Sequence, residues 1–274
     1  MSLSVEITNV VPLFPTRVFL QWNILIPEDG THTVKVERSG SSGGAWTVLT
    51  SESDLFYYID DLGAQTGGDL TKAALFSLQR QVYYRVTVTA PSGASAVSAV
   101  HGLVPDLPPV QAGLRRRLQY DQQILWRRLN GMKLAILKRK QWGARCTVCF
   151  DPTTRSVTQE HCSTCFGTSF TGGYHTPVIT WGRIVTPQNV NTQTTERDVK
   201  ETATKRIHLI DVPRLQDSDL IVEIDTNERY IVRLQEQTEI RRKPVHQELT
   251  VSTVDHHSIE FRVLADLSFT LPLL

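Results

Sequence analysis

Outside one short stretch the chain contains no cysteine: all four lie between positions 146 and 165. No apolar run approaches the roughly 18–20 residues of a membrane-spanning helix. The opening segment, MSLSVEITNVVPLFPTRVFLQW, has no basic stretch followed by an apolar core, so no signal peptide is expected. Signatures of catalysis are missing too: there is no Gly-rich phosphate loop after a strand, no HExxH and no GxSxG. Net charge is nearly absent, with 29 basic against 28 acidic side chains, which argues against a general polyanion binder. These absences lead us to expect a soluble, non-enzymatic protein, made in a reducing cytosol and without membrane contact. In that compartment paired cysteines hold metal more often than they form disulfides.

The cysteine stretch reads CTVCFDPTTRSVTQEHCSTCFGTSF, spaced Cys146-x2-Cys149-x12-Cys162-x2-Cys165. Each CxxC turn sets two thiolates on one side of a tight loop. Two such knuckles facing each other supply the four-sulfur set that tetrahedral Zn²⁺ favours. The twelve residues between them have room for a short hairpin, with DPTT as the turn and RSVT as the return strand. Four thiolates leave no open position, so the expected ion is structural and activates no water. Two disulfides, a dithiol redox site, an iron–sulfur cluster, or His161 in place of one cysteine remain open as alternatives.

Other polar clusters carry less. His256 and His257 are neighbours and would point to opposite faces of a strand, so we read them as surface turn residues. Asp60-Asp61 reads as a turn after a strand. Glu223 and Asp225 share a strand face but lack a third ligand for a cation.

The chain as a whole reads as mainly β. Residues 1–105 break into about seven short segments with polarity alternation, separated by Gly, Pro, Asn or Asp. In VYYRVTVTA, Val82, Tyr84, Val86 and Val88 face one way and Arg85, Thr87 and Thr89 the other. Trp22, the segment VKVERS and Tyr84-x-Val86-x-Val88-x-Ala90 make this region resemble a fibronectin type III domain. The connection 63–81 is longer than that pattern expects and suggests a loop with a short helix. VPDLPPVQ at 104–111 reads as a stiff linker. Residues 106–145 then hold that linker, a basic helix at 112–130 ended by Gly131, and a strand. Leu114, Leu118, Leu125 and Leu129 form the apolar face of the helix. Ten basic residues and one acid, Asp121, lie between 111 and 145, a local charge of +9. Arg115, Arg116, Arg117, Arg127, Arg128, Lys138, Arg139 and Lys140 are the expected partner-binding set, for a protein partner before a nucleic acid. Residues 146–175 are the four-cysteine zinc knuckle.

Residues 176–274 read as a small β-barrel domain. Its strands are RIHLIDVP, DLIVEID, RYIVRLQEQTEIR, PVHQELTVSTV and IEFRVL, DTNE is a hairpin turn, and the strand near 132–140 is a candidate for the same sheet. A polar arm or long hairpin at 186–206 and an apolar tail, FTLPLL, complete it.

From 132 to about 262 the chain resembles a family of tailed-phage virion proteins. The residues that carry this are LAILKRKQWGARCTVCFDPTTRSVTQEHCSTCFGTSFTGGY, then NVNTQTTERDVKE and DLIVEIDTNERYIVRL…RRKPVHQELTV. The resemblance implies a structural component of the particle, in the neck or head–tail connection. It also implies Cys146, Cys149, Cys162 and Cys165 as metal ligands, and a homo-oligomeric ring contacting other virion proteins. The chain would then reside in the virion after synthesis in the host cytoplasm. A baseplate or tail-fibre-attachment adaptor is the second reading, and a zinc-ribbon nucleic-acid-binding protein the third.

Overall fold

A computed structural model describes residues 3–13, 16–25, 27–62, 81–103, 107–159, 161–185, 192–195, 198–201, 204–240 and 243–263. The predicted loop and helix at 63–81 lie outside these residues, apart from Gln81, and so does the tail FTLPLL.

The front of the chain is a β-sandwich. Strands β1 (Ser4–Leu13), β2 (Arg17–Leu25) and β5 (Tyr57–Asp61) form one antiparallel sheet in the order β1-β2-β5. The other runs β4 (Thr47–Ser53), β3 (Thr33–Ser39), β6 (Tyr83–Thr89), β7 (Ser95–Val97), with the two-residue β8 (His101–Gly102) also on β6. This division of strands is the fibronectin type III arrangement. Alternation drives it: Tyr84, Val86 and Val88 are buried while their neighbours are half-exposed. Buried Trp22 donates its indole N–H to the Leu55 carbonyl at 3.0 Å. Asp60 is not in a turn, as its sequence suggested. It lies in β5, fully buried, and accepts from Tyr84 Oη and Arg38 Nη1, each at 2.9 Å.

Strand β2 is buried on both faces, with only Arg17, Asn23 and Leu25 reaching solvent. One face fills the sandwich. The other packs on the second lobe, a closed six-stranded barrel ordered β12-β15-β18-β17-β16-β9. Its strands are β9 (Met132–Leu137), β12 (Val178–Val185), β15 (Thr204–Ile210), β16 (Leu220–Glu223), β17 (Arg229–Ile240) and β18 (Lys243–Thr253). Closure removes free sheet edges at the core. The strand near 132–140 does join, and DTNE does turn β16 into β17. Ile259–Val263 of IEFRVL, however, form no strand. Residues Glu260–Arg262 form a 3₁₀ turn, and Phe261 and Val263 pack on the outside of β9 and β16. Arg229 fixes that segment by donating to the Val263 and Glu260 carbonyls while stacking on Phe261. The sixth strand is β12 instead. Its Gly182 lies against Leu134 and the His208 carbonyl, where a Cβ would sit 2.8 and 3.0 Å away. Any larger residue would have to push the Leu134 and Leu209 side chains aside where β9, β12 and β15 meet.

The arm holds a small hairpin, with Thr192–Thr195 (β13) paired to Asp198–Glu201 (β14). Helix α1 spans Pro109–Leu125 and continues as a π-turn over Trp126–Asn130. It therefore begins inside the predicted linker. Proline suits the first helical turn, where its missing N–H has no intrahelical partner to lose.

Buried apolar residues of sandwich, Trp126 and barrel form one continuous core. Polar contacts cross the same seam. Gln21 accepts from the Arg214 N–H (2.7 Å) and donates to its carbonyl (3.2 Å). Asn9 donates to the Asp211 carbonyl, and Gln123 to that of Pro12.

Candidate metal centre

The cysteines come together. Cys146, Cys149, Cys162 and Cys165 are all buried, and their four sulfurs lie within 4.8 Å of one another. Cys146 Sγ is 3.8 Å from Cys162 Sγ, and Cys149 Sγ is 3.2 Å from Cys165 Sγ, with no disulfide among them. A tetrahedral site with sulfurs about 2.3 Å from the ion places them about 3.8 Å apart, so the cluster fits a bound metal ion. Among the described residues no other group of three or more potential ligands has this geometry. Exposed His161 is outside the cluster and lines a shallow surface pocket with His257, Glu260 and Arg262.

Local chemistry shapes each knuckle. Phe150 N–H returns to the Cys146 carbonyl, Phe166 to Cys162 and Thr168 to Cys165, at 3.1, 2.8 and 2.9 Å. The expected hairpin joins the knuckles, with Phe150–Asp151 (β10) paired to Ser156–Val157 (β11). Gly173 closes the exit: its φ is +68°, and a Cβ would lie 2.7 Å from the Cys165 carbonyl. The thiols are unequal. The Thr164 backbone N–H pulls the Cys162 pKa down to about 6, while burial pushes Cys149 well above an ordinary thiol. Four buried sulfurs cannot all carry charge without a cation, which is what a bound metal supplies.

The basic residues before the knuckles hold them in place. Lys138 is buried, with Nζ 3.1 Å from Asp219 Oδ2 and donating to the Arg214 carbonyl at 2.8 Å. Arg139 Nη2 donates to the Gly167 carbonyl at 2.8 Å, and Lys140 Nζ to that of Thr171 at 2.7 Å. Tight turns point carbonyls inward, and these long side chains satisfy them. Arg145 entered the sequence reading only as one more positive charge. It lies between the Phe150 and Phe170 rings, bonds Ser169 Oγ, and reaches Asp29 of the sandwich at 2.6 Å. Nearby, Gly30 N–H donates to the Gly143 carbonyl. Buried His175 packs between Phe56 (4.9 Å) and Trp142 (5.0 Å), joining the sandwich to the metal segment. Burial, with Lys140 and Lys138 adding repulsion, drives its pKa down to about 3. Neither the Arg145–Asp29 nor the His175–Phe56 contact could be found in sequence, because each pair is more than a hundred residues apart.

The partner-binding set needs correction. Arg115 and Arg116 are buried beneath α1, not displayed. Arg115 Nε donates to the Pro244 carbonyl at 2.9 Å, with Asp211 3.7 Å from its Nη2, and Arg116 Nη2 donates to the Leu103 carbonyl. With Lys138, Arg139 and Lys140 occupied internally, Arg117, Arg127 and Arg128 are the exposed members. Arg117 is bridged to Asp121 at 2.8 Å. The helix is turned over: Leu114, Leu118, Leu125 and Leu129 are exposed, while Ala112, Arg115, Arg116, Gln119 and Trp126 face inward. His256 and His257 lie in an exposed turn, as expected, and Glu223 accepts from Tyr230 Oη at 3.3 Å. No helix among the described residues is long and apolar enough to cross a membrane.

The folded class is thus mainly β: a fibronectin III-like sandwich, a helix, a four-cysteine segment and a closed barrel. No family model matches the sequence, and no curated protein does. Among solved structures, pectate lyase Pel3 from Pectobacterium carotovorum matches over 39% of this chain and 28% of its own, at 14% identity and a TM-score of 0.27. A Fn3-like protein from Clostridium thermocellum matches over 39% of this chain and 92% of its own, at 21% identity and a TM-score of 0.25. This chain thus spans little more than a quarter of the lyase. Superpositions this loose bear on neither fold nor activity; strand order and cysteine geometry carry the argument.

Proposed function

We propose that this chain is a structural component of a tailed-phage virion, a neck or head–tail connector protein acting through protein–protein contacts in a homo-oligomeric ring. The cysteine cluster, on this reading, holds structural Zn²⁺, because a closed four-sulfur donor set suits that ion and leaves no position for catalysis. Support comes first from the resemblance of residues 132–262 to such proteins. The observation that carries it is the placing of the metal segment: Arg145, Gly143 and His175 clamp it to the sandwich, while Lys138 and Arg139 tie it to the barrel. A chain locked this way presents fixed surfaces, as a building block requires. The internal use of Arg115, Arg116 and Lys138 weakens the nucleic-acid alternative, which needs those charges on phosphates. Cryo-microscopy of the intact particle is the test. Density for sandwich and barrel at the head–tail junction is expected; density at the baseplate would replace this reading with the adaptor, and absence from purified particles would end both.

A further inference from the structure

The outward face of α1 carries an apolar stripe that the rest of the described chain leaves uncovered. Val110 is 84% exposed and Leu129 79%, with Leu114, Leu118 and Leu125 between them also exposed. At about 100° per residue, Val110, Leu114, Leu118 and Leu125 fall within roughly 80° of one another. The π-turn then widens the last turn, which carries Leu129 back into line with Leu125. Between Ala112 and Trp126 the inward face is polar. Both Gln119 amide atoms, Arg116 Nε and Nη1 and both Asp211 carboxylate oxygens are buried without a hydrogen-bond partner. The helix therefore hides its polar side and shows its apolar one, the reverse of a helix designed only for its own domain.

The spacing of the stripe identifies what covers it. Val110 and Leu129 lie nineteen residues apart, Leu114 and Leu125 eleven, and both pairs are centred between Gln119 and Tyr120. Four of the five stripe residues thus mirror one another, while Leu118 mirrors exposed Asp121, and the apolar ends match an identical stripe laid antiparallel. Charge favours the same orientation. Arg117 and Asp121 flank the centre of the exposed face. In an antiparallel pair each Arg117 approaches Asp121 of the second copy, whereas a parallel pair sets like charges against each other. We infer that the exposed face of α1 is a self-association surface, on which two copies of this chain pair their helices antiparallel about a twofold axis near residues 119–120. Val110 then lies against Leu129 of the second copy, and Leu114 against Leu125. Such an isologous contact closes at two chains. A ring of this protein would need a second, different contact, and the helix pair would join dimers or stacked rings. Nothing in this inference depends on the virion reading, because it concerns the purified chain alone.

One helix pair of this length falls near the bottom of specific interfaces, about 1,200 Å² in total, so the dimer should dissociate on dilution. Light scattering and sedimentation of the full chain over a range of concentrations should show one chain rising to two. Leu114→Glu changes an exposed residue and should leave the fold intact while weakening association by about tenfold or more. Orientation is read by mixing Leu114→Cys chains with Leu125→Cys chains under mild oxidation; the native cysteines are buried and do not compete. The mixed disulfide should dominate over either self-linked product. A monomer at every concentration, association indifferent to Leu114→Glu, or preferential self-linking of Leu114→Cys would each overturn the inference.

Discussion

A buried cysteine that loses its metal becomes a small polar group in a loop with little apolar packing of its own. The cysteine cluster is separate from both apolar clusters, so the knuckles rest on ligation. Cys149→Ser should therefore reduce bound metal from about one ion per chain to none, measurable by elemental analysis. Limited proteolysis should then cut between 146 and 173 while the sandwich survives; an uncut, metal-free chain would contradict this. His175 offers a pH test. Its folded pKa of about 3 lies below the ordinary 6.5, so the unfolded state takes up the proton first as pH falls. Stability is full above about 6.5 and is lost as pH drops towards 3. His175→Phe, sheltered by the same aromatic rings, removes that loss. Between pH 7 and 5 the variant should gain about 2 kcal/mol relative to wild type, read as a shift in urea midpoints; a constant difference would rule out a buried, neutral His175.

At the level of elements, closure of the barrel turns on one missing side chain. Gly182→Ala places a methyl against Leu134, Leu209 and the His208 carbonyl at the β9–β12–β15 corner. Overpacking of this kind costs about 1–3 kcal/mol, and urea unfolding should show it; an unchanged midpoint would mean that the corner is slack. Elements also show where sequence periodicity stops being informative. Strand alternation in β6 identified the core face correctly, because a sheet with a neighbour on one side leaves only one face to bury. The leucine stripe of α1 had equally good periodicity and marked the wrong face. A period fixes which residues share a side, not which side meets the body. Contacts at Leu103, Pro244 and Asp211 settle that, and they select the arginines.

For the whole molecule, the notable property is that sandwich and barrel do not behave as beads on a linker. β2 is buried from both sides, and the apolar core runs from the sandwich through Trp126 into the barrel. Calorimetry should therefore record a single transition, with the van't Hoff enthalpy close to the measured one; two resolved peaks would show that the lobes melt independently. An isolated sandwich should be less stable than the same residues in the full chain, since it would expose Gln21 and the outward face of β2.

The sequence by itself determined the local chemistry: a mainly β chain, a fibronectin III-like front, a four-sulfur cluster from two CxxC turns, and the hairpins at 150–157 and 223–229. Each of these depends on residues close in the chain, or on a donor set so restrictive that few geometries satisfy it. Tertiary structure alone decided the rest. It chose β12 and not IEFRVL as the sixth barrel strand, turned α1 with its leucines outward, and committed half of the basic segment to internal carbonyls and Asp219. Those outcomes depend on which distant surfaces meet. Burial energy and the need to satisfy every enclosed polar group are set by that meeting, not by any single stretch of sequence.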